Sequence, residues 1–396
     1  MRGKDLIAAT LFGGGGGSGS GGGSSGGGGG GSAPSVSPKE VNFYDYDGTC
    51  VHAYTVAEAQ ALSALPDGPV HDGLVFQGWN WSLEGVKGLT RAMNIGAMYT
   101  TDDGTTRLYI TLQEGRTSPM LGVGVNGTVT VDWGDGTEPD VLTGTSTSTA
   151  VWTPNHAYAA PGDYVIRLTV DGEMGFTGSN SSNTYASILR HVSTADTRNS
   201  VYRNALKRVE IGANTVVNRY SFSYCTGLRT VTMPNGQVYL GDDTFTYCRS
   251  LIAMIIPKNV TRTDSTVFRG ATSLEMVSLA QNTSVGSCAF GDMAAMKNIT
   301  IPDGASVNSQ AFQNCATLSS LVVPSSVTSI GNYTFKDCSG MAYYDFTSHT
   351  AVPTLSSTNA FSGIPDDCIF LIPAALYDEW IAATNWATYS ANIKAY

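Results

Sequence analysis

The sequence has few charged residues, and this limits the partners that the protein can bind. Charged side chains make up 14% of its 396 residues, with a formal net charge of −10, whereas about 25% is usual in soluble domains. Nucleic-acid binding requires clusters of Lys and Arg that neutralise phosphates, so we expect no nucleic-acid partner. No apolar run reaches the roughly 20 residues that span a bilayer, so we expect no membrane insertion.

The residue patterns that carry catalysis and metal binding are also missing. No Ser/His/Asp or Cys/His arrangement surrounds any histidine, and no CxxC pair occurs. We therefore expect no enzyme, no metal and no cofactor. The five scattered histidines are His52, His71, His156, His191 and His349.

One short motif nevertheless suggests an enzyme. Asp45-Tyr46-Asp47-Gly48-Thr49 resembles the DxDGT signature of haloacid-dehalogenase-type phosphotransferases, in which the first Asp attacks phosphorus. That chemistry requires a parallel α/β sheet, whereas VNFYDYDGTCVHAYT alternates and breaks at Asp47-Gly48. Such a break is typical of a β-hairpin, and we interpret the motif as a hairpin turn.

The strongest pattern is a repeat of 22 or 23 residues between residues 206 and 373. Apolar strand segments such as LKRVEI, LRTVTM and LSSLVV recur in step with a phenylalanine. A single unit of this length cannot bury its own apolar face, so the period predicts a solenoid of stacked units. The recurring phenylalanines are Phe222, Phe245, Phe268, Phe290, Phe312, Phe335 and Phe361.

Four cysteines follow a repeat phenylalanine by three residues: Cys225, Cys248, Cys315 and Cys338. Other repeats place Ala271 or Met293 at that position, which indicates a buried apolar site. Stacked coils about 4.8 Å apart would bring Cys225 and Cys248 close enough for a disulfide. We favour free thiols, because the position accepts residues other than cysteine.

The repeats resemble the BspA-like leucine-rich repeats of bacterial and phage surface proteins. VVPSSVTSIGNYTFKDCSGM (Val322–Met341) carries the strand ending in proline, the SVxxIG segment and the AFxxCxxL-type segment of that unit. The resemblance implies a leucine-rich-repeat solenoid over residues 206–373 that binds partners, with residues 374–396 as a C-terminal cap.

A second resemblance lies in the middle of the chain, over residues 104–172. VDWGDGT (Val131–Thr137) and HAYAAPGDYVIRLTV (His156–Val170) are similar to a PKD-type immunoglobulin-like domain. The resemblance implies a β-sandwich spacer with Trp133 and Tyr158 in its core and Gly134 and Gly136 in a turn. Residues 173–205 would connect this domain to the solenoid or cap it.

The N-terminal region divides into three parts. Residues 1–12 are mildly apolar and predict a docking peptide, although a leader without a role is the alternative. Residues 13–35 are rich in Gly and Ser and predict a flexible linker. Residues 36–103 predict a small α+β module in which SLEGVKGLTRAMNIG is a second helix.

Six aromatic residues are candidates for ligand contact. Trp79 and Trp81 would share one strand face and could stack on sugar rings, although such pairs commonly belong to a core. Adjacent residues of a strand point to opposite faces, so one of Tyr343 and Tyr344 should be exposed. Tyr224 and Tyr247 lie beside the cysteine positions.

The order of these regions resembles structural proteins encoded by phages of gut bacteria. The chain is then a mainly β, non-enzymatic virion protein of a tail or capsid, and a homo-oligomer is compatible with it. Residues 1–12 would contact other virion proteins, and the repeats would contact a glycan or protein of the host cell surface. The N-terminus lacks the features of a secretory signal, which agrees with assembly in the host. The alternatives are a bacterial cell-surface adhesin and a purely structural decoration protein.

Overall fold

The computed structural model describes residues 36–176, 188–190, 202–297 and 299–396. These residues form mainly β-strands, with a few short helices. The predicted docking peptide (1–12) and linker (13–35) lie outside the described residues, as does most of the predicted connector (173–205).

The longest strands lie in the N-terminal half, and those of the repeats have two to five residues. Those before the repeats are β1 (Val41–Tyr44), β2 (Cys50–Tyr54), β3 (Leu74–Trp79), β4 (Met93–Thr101), β5 (Thr106–Leu112), β6 (Met120–Asp132), β7 (Asp140–Trp152), β8 (Gly162–Phe176) and β9 (Leu189–Arg190). Those of the repeats are β10 (Leu206–Glu210), β11 (Thr215–Val217), β12 (Thr230–Thr232), β13 (Ala253–Ile255), β14 (Met276–Ser278), β15 (Ser320–Val322), β16 (Ser329–Ile330), β17 (Tyr343–Asp345), β18 (Thr354–Leu355), β19 (Ile369–Ile372) and β20 (Ile393–Ala395).

The helices are all short. The α-helices are α1 (Val56–Gln60), α2 (Leu83–Lys87) and α3 (Tyr377–Ala382), and the 3-10 helices are Thr358–Phe361, Ala374–Leu376 and Trp386–Asn392.

The first 66 described residues, 36–101, form an α+β module around a four-stranded sheet of order β2-β1-β4-β3. β1 and β2 pair antiparallel across the Asp47-Gly48 turn, so the hairpin interpretation is confirmed. The predicted second helix is wrong beyond Lys87. Ser82 caps α2 and Gly88 ends it, and residues 93–101 form β4, an inner strand that is buried on both faces.

The next four strands, β5 to β8, share a single sheet with the first repeat strands. Its order is β12-β10-β5-β8-β6-β7, so the two-sheet sandwich expected for 104–172 is not the arrangement observed. β10 pairs antiparallel with β5 on one side and parallel with β12 on the other. An open strand edge is a site of unwanted pairing, and β5 covers the N-terminal edge of the repeat strands.

The PKD-like motif folds as its residues suggested. Trp133 is fully buried and Tyr158 is 4% exposed. The Tyr158 hydroxyl donates to the Trp133 carbonyl at 2.9 Å, and the Trp133 indole donates to Asp140 at 2.9 Å. Gly134 and Gly136 have positive φ angles, as the turn requires. The positions of these four residues are confirmed, while the assignment of the domain to the PKD family stays a prediction.

Successive repeats stack in parallel register, one coil on the next. β13 pairs with β14, and β15, β17, β19 and β20 form a continuous parallel sheet. The repeat phenylalanines from Phe222 to Phe361 form a stacked column with ring centroids 5.3–5.6 Å apart and planes within 15°. The column fills the centre of every coil.

The repeat cysteines lie buried beside this column. The thiols of Cys248, Cys315 and Cys338 donate to the carbonyl oxygens of Phe222, Phe290 and Phe312, the phenylalanines one repeat earlier, at 3.0–3.2 Å. Burial raises the pKa of the Cys248 and Cys315 thiols well above the ordinary value. These neutral thiols therefore connect adjacent coils.

The C-terminal residues close the far end of the stack. Trp380 and Trp386 are fully buried against Phe346, and β20 adds a last parallel strand to β19. The apolar face of the last coil is thereby covered.

The N-terminal module packs directly on the repeat strands. Its residues Tyr44, Cys50 and Met98 form one apolar cluster with Ala253, Ile255 and Met276 of β13 and β14. All three residues of β13 and of β14 are buried as a result. The module is therefore joined to the repeats and does not form a separate spacer.

Asn80 is the polar centre of this contact, and it is 1% exposed. Its amide nitrogen donates to the carbonyl oxygens of Ile256 and Ser278 at 2.9 and 3.2 Å. Its amide oxygen accepts from the backbone N–H of Gly96 at 2.8 Å. A buried polar group that loses its partner costs about 1–3 kcal/mol, so Asn80 stabilises the docked arrangement only while all these bonds form.

The Asn80 contact can be tested by substitution. Asn80→Ala should lower the free energy of unfolding by about 2–3 kcal/mol, because the buried Ile256 carbonyl would lose this donor and the Gly96 N–H would lose this acceptor. Urea denaturation followed by tryptophan fluorescence measures the change. Asn126→Ala is the matched control, since Asn126 is exposed and its side-chain amide donates to the exposed carboxylate of Glu173. Equal losses in the two variants would show that the module contact contributes little.

Candidate functional site

The strand face of the repeats is divided into a covered part and an open part. β13 and β14 are buried at every residue under the module, whereas in β15 and β17 only the middle residue is buried. The outward residues of β15 and β17 are partly exposed. Ile369 and Leu371 of β19 are also partly exposed, on either side of the buried Phe370. We call this surface the open strand face; it consists of Ser320, Val322, Tyr343, Asp345, Ile369 and Leu371.

Strand register arranges these six residues in two rows. Tyr343 lies between Ser320 and Ile369, and Asp345 lies between Val322 and Leu371. The face therefore combines an aromatic ring, aliphatic side chains and one carboxylate. Sequence analysis identified Tyr343 but missed Ile369 and Leu371, which the alternation in CIFLIP could have revealed.

Hydrogen bonds position Asp345, and partial burial affects Tyr343. The Asp345 carboxylate accepts from the backbone N–H and the hydroxyl of Thr347 at 2.8 and 2.6 Å. Partial burial is the main cause that raises the pKa of the Tyr343 phenol. The phenol therefore stays protonated at neutral pH and can donate a hydrogen bond to a ligand.

Three of the aromatic candidates are buried and cannot contact a ligand. Trp79 and Trp81 are 4% and 5% exposed, and their indole N–H groups donate to the carbonyl oxygens of Pro66 and Leu279. Tyr344 is fully buried and stacks on Phe370. The ligand-binding prediction is wrong for these residues, because each ring is needed to fill a core.

Tyr224 and Tyr247 lie together, but on other coils from Tyr343. Their ring centroids are 4.9 Å apart, and the Arg203 guanidinium lies 4.9 Å from the Tyr224 ring centre. The Tyr247 ring also rests against Gly270, where an added Cβ would lie 2.5 Å from the ring. These contacts occupy ring faces, so stacking on a sugar is disfavoured, although both residues keep partly exposed edges.

The backbone at these tyrosines is unusual. Tyr224 and Tyr247 have φ angles of 60° and 55°, and each lies two residues after a repeat phenylalanine. In later coils the same position is occupied by Gly270, Asp292, Asn314 and Asp337. Gly, Asn and Asp tolerate left-handed backbone, whereas a bulky residue is strained there. In the first two coils the two tyrosine rings pack against each other with their planes 33° apart.

The phosphotransferase motif has no exposed nucleophile. Asp45 is 1% exposed, and one of its carboxylate oxygens lies 2.7 Å from the His71 imidazole nitrogen. Desolvation is the largest influence on its pKa, which is raised. Asp47 accepts from the Thr49 backbone N–H within the turn. Both carboxylates serve the hairpin.

Two kinds of site are absent from the described residues. Among them, no group of three or more His, Cys, Asp or Glu side chains is placed to hold a metal ion. No helix in the same part of the chain has the length and apolar character needed to cross a membrane.

Comparison with known families identifies the repeats. Residues 197–306 and 280–366 match the family described as BspA type leucine rich repeat region, in six copies. The resemblance stated from the repeat motif is therefore confirmed for this region. No curated protein matches the chain.

Several solved structures are also similar, all at low identity. A leucine-rich repeat protein from Eubacterium ventriosum is 22% identical, with 48% of this chain and 52% of that chain covered and a TM-score of 0.36. One from Bacteroides ovatus is 18% identical (43% and 57% covered, TM-score 0.29). A leucine rich cell surface protein from Faecalibacterium prausnitzii is 18% identical (43% and 68% covered, TM-score 0.23). The chain spans about half of the length of the first of these.

The contact between Tyr247 and Gly270 predicts a sensitive position. Gly270→Ala should lower the free energy of unfolding by about 2 kcal/mol, because φ is +69° there and the new Cβ would displace the Tyr247 ring. Chemical denaturation measures the loss. Gly236→Ala is the control, since no atom lies within 4 Å of a Cβ added at that position. A Gly270→Ala variant as stable as the control would show that the Tyr247 ring does not need the space at Gly270.

Proposed function

We propose that this protein is a non-enzymatic adhesion protein that binds a host-cell surface molecule through the open strand face. The repeats, on this proposal, form a BspA-type leucine-rich-repeat solenoid. The proposal rests on a difference in burial between two parts of the strand surface. The module buries β13 and β14 completely, while β15, β17 and β19 keep partly exposed outward residues.

The chemistry of the open strand face suits recognition of a partner. Interface hot spots are enriched in tyrosine within a mixed polar and apolar surround, and Tyr343 lies between Ser320 and Ile369. The proposal is supported by the adjoining strands, where Ile255 and Met276 pack against the module of the same chain.

We place the protein in a phage virion, as a tail-fibre or other receptor-binding component. The support is the order of regions in the sequence: an N-terminal peptide (1–12), a Gly-rich linker (13–35), a PKD-like sheet and the repeats. Residues 1–12 would bind other virion proteins, and the linker would let many copies engage weak sites together. A homo-oligomer would increase this effect.

A bacterial cell-surface adhesin is the second candidate. The match of residues 197–306 and 280–366 to BspA-type leucine-rich repeats supports this candidate. The third candidate, a structural decoration protein, would leave the open strand face without a ligand.

Tyr343 provides the test of the proposed function. The fluorescently labelled full chain should bind host cells saturably and compete with phage adsorption. Tyr343→Ala should weaken binding about tenfold, the loss expected for a moderate interface contact. Flow cytometry over a range of protein concentrations measures the dissociation constant.

Tyr333→Asn serves as the control. Tyr333 is also partly exposed but lies outside the open strand face, with a positive φ angle that asparagine tolerates. Its binding should equal that of the unchanged chain. Absence of binding by the unchanged chain would favour the decoration protein. Cell binding without an effect on adsorption would favour the bacterial adhesin, and equal binding by Tyr343→Ala would exclude the open strand face.

A further inference from the structure

A second polar surface lies on the repeats, away from the open strand face. It is an open groove of about 560 Å³ that crosses neighbouring coils between residues 261 and 308. We call it the hydroxyl groove, after the side chains of Thr261, Ser265, Ser287 and Ser306, which line it together with Arg262 and Asn308. Bridge pairing of Arg262 with Ser284 and of Val285 with Val307 sets its register.

The floor of the groove contains a glycine at a place where a side chain would not fit. Gly286 lies in the floor, and a Cβ added there would be 2.3 Å from the Asp264 carbonyl oxygen. Val285 and Val307 point into the core on either side of it and are 0% and 6% exposed. The neighbouring Ser284 and Ser306 therefore face outward, which makes the groove polar along its length.

Elsewhere in the repeats, hydroxyl groups are used to join coils. Ser250, Thr283, Thr317 and Ser326 each donate to a backbone carbonyl of the preceding coil at 2.6–2.8 Å. The hydroxyls of Thr261, Ser265, Ser287 and Ser306 have no such bond within the described part of the chain. Four hydroxyls that do not stabilise the coils thus converge on one groove.

The wall of the groove carries one positive and one negative side chain, Arg262 and Asp264, which form an ion pair. The Arg262 Nε atom lies 3.1 Å from an Asp264 carboxylate oxygen, and the Arg262 side chain is 67% exposed. The other Asp264 oxygen accepts from the Tyr239 hydroxyl, to which the Arg219 Nε atom also donates at 3.2 Å. This chain of bonds fixes Asp264 and leaves much of the Arg262 guanidinium accessible.

We propose that the hydroxyl groove binds a neutral oligosaccharide. Sugar hydroxyls both donate and accept hydrogen bonds, as the groove hydroxyls and the Asn308 amide can do, and the Arg262 guanidinium can donate to them. The paired charges give no net preference for an anionic ligand. A protein partner is disfavoured because protein interfaces are centred on apolar or aromatic anchors, and the groove is lined by polar side chains and a glycine. This site is independent of the open strand face.

The proposal is tested with a printed array of neutral and acidic oligosaccharides and the labelled full chain. The unchanged chain should retain one or more neutral oligosaccharides, and titration with the best of them by isothermal calorimetry gives the affinity. Ser306→Tyr should reduce that affinity at least about tenfold, because the ring would fill the groove. Arg262→Ala should reduce it about threefold to tenfold by removing guanidinium donors.

Ser356→Tyr is the matched control, because Ser356 is an exposed serine of a later coil and does not line the groove. It should bind like the unchanged chain, as should Tyr343→Ala, which separates this site from the proposed cell-binding face. Thermal denaturation of each variant checks folding.

Retention of no neutral oligosaccharide would overturn the proposal, and so would equal binding by Ser306→Tyr. A change from dimer to monomer in Ser306→Tyr, measured by analytical ultracentrifugation, would assign the groove to a contact between copies and would also overturn it.

Discussion

The structure depends on one constraint: no coil of the repeat can bury its own apolar face. Each phenylalanine is covered only because the next one stacks on it at 5.3–5.6 Å. The constraint is most severe at the ends, where one neighbour is missing. β5 covers the first repeat strand through backbone pairing, and Trp380 with Trp386 covers the last coil. Regions that looked like separate domains in the sequence are therefore parts of one continuous structure.

The same constraint shapes the surface on which the protein can act. Parallel strands leave a row of outward side chains, and the module covers an apolar part of it at Ala253, Ile255 and Met276. The more mixed part, around Tyr343 and Asp345, stays accessible. Burial of Asn80 against repeat carbonyl groups adds direction to an otherwise apolar contact, because its amide fits only one arrangement. The available surface is thus set by what the module leaves uncovered.

The coils require left-handed backbone at fixed positions, and different residues meet this requirement with different strain. Two positions, two residues on either side of the repeat phenylalanine, take positive φ angles. Asp292 and Asn314 meet this requirement with little strain, while Tyr224 and Tyr247 meet it with their rings packed against each other. The positive φ angles at Tyr224 and Tyr247 are thus set by the coil itself. Both side chains remain partly exposed.

The sequence by itself determined the repeat period, the phenylalanine column, the buried cysteine positions and the core role of Trp133 and Tyr158. These features follow from contacts between neighbouring units or within one motif, so they leave a regular imprint on the residue pattern. Only the tertiary structure decided which surfaces are open. Asn80 meets Ser278 across 198 residues of chain, and such a single contact leaves no period to read. Packing between distant segments buries Trp79, Trp81 and Tyr344 and places β5 and β10 in one sheet. Stacking of the coils brings the hydroxyl side chains to one groove.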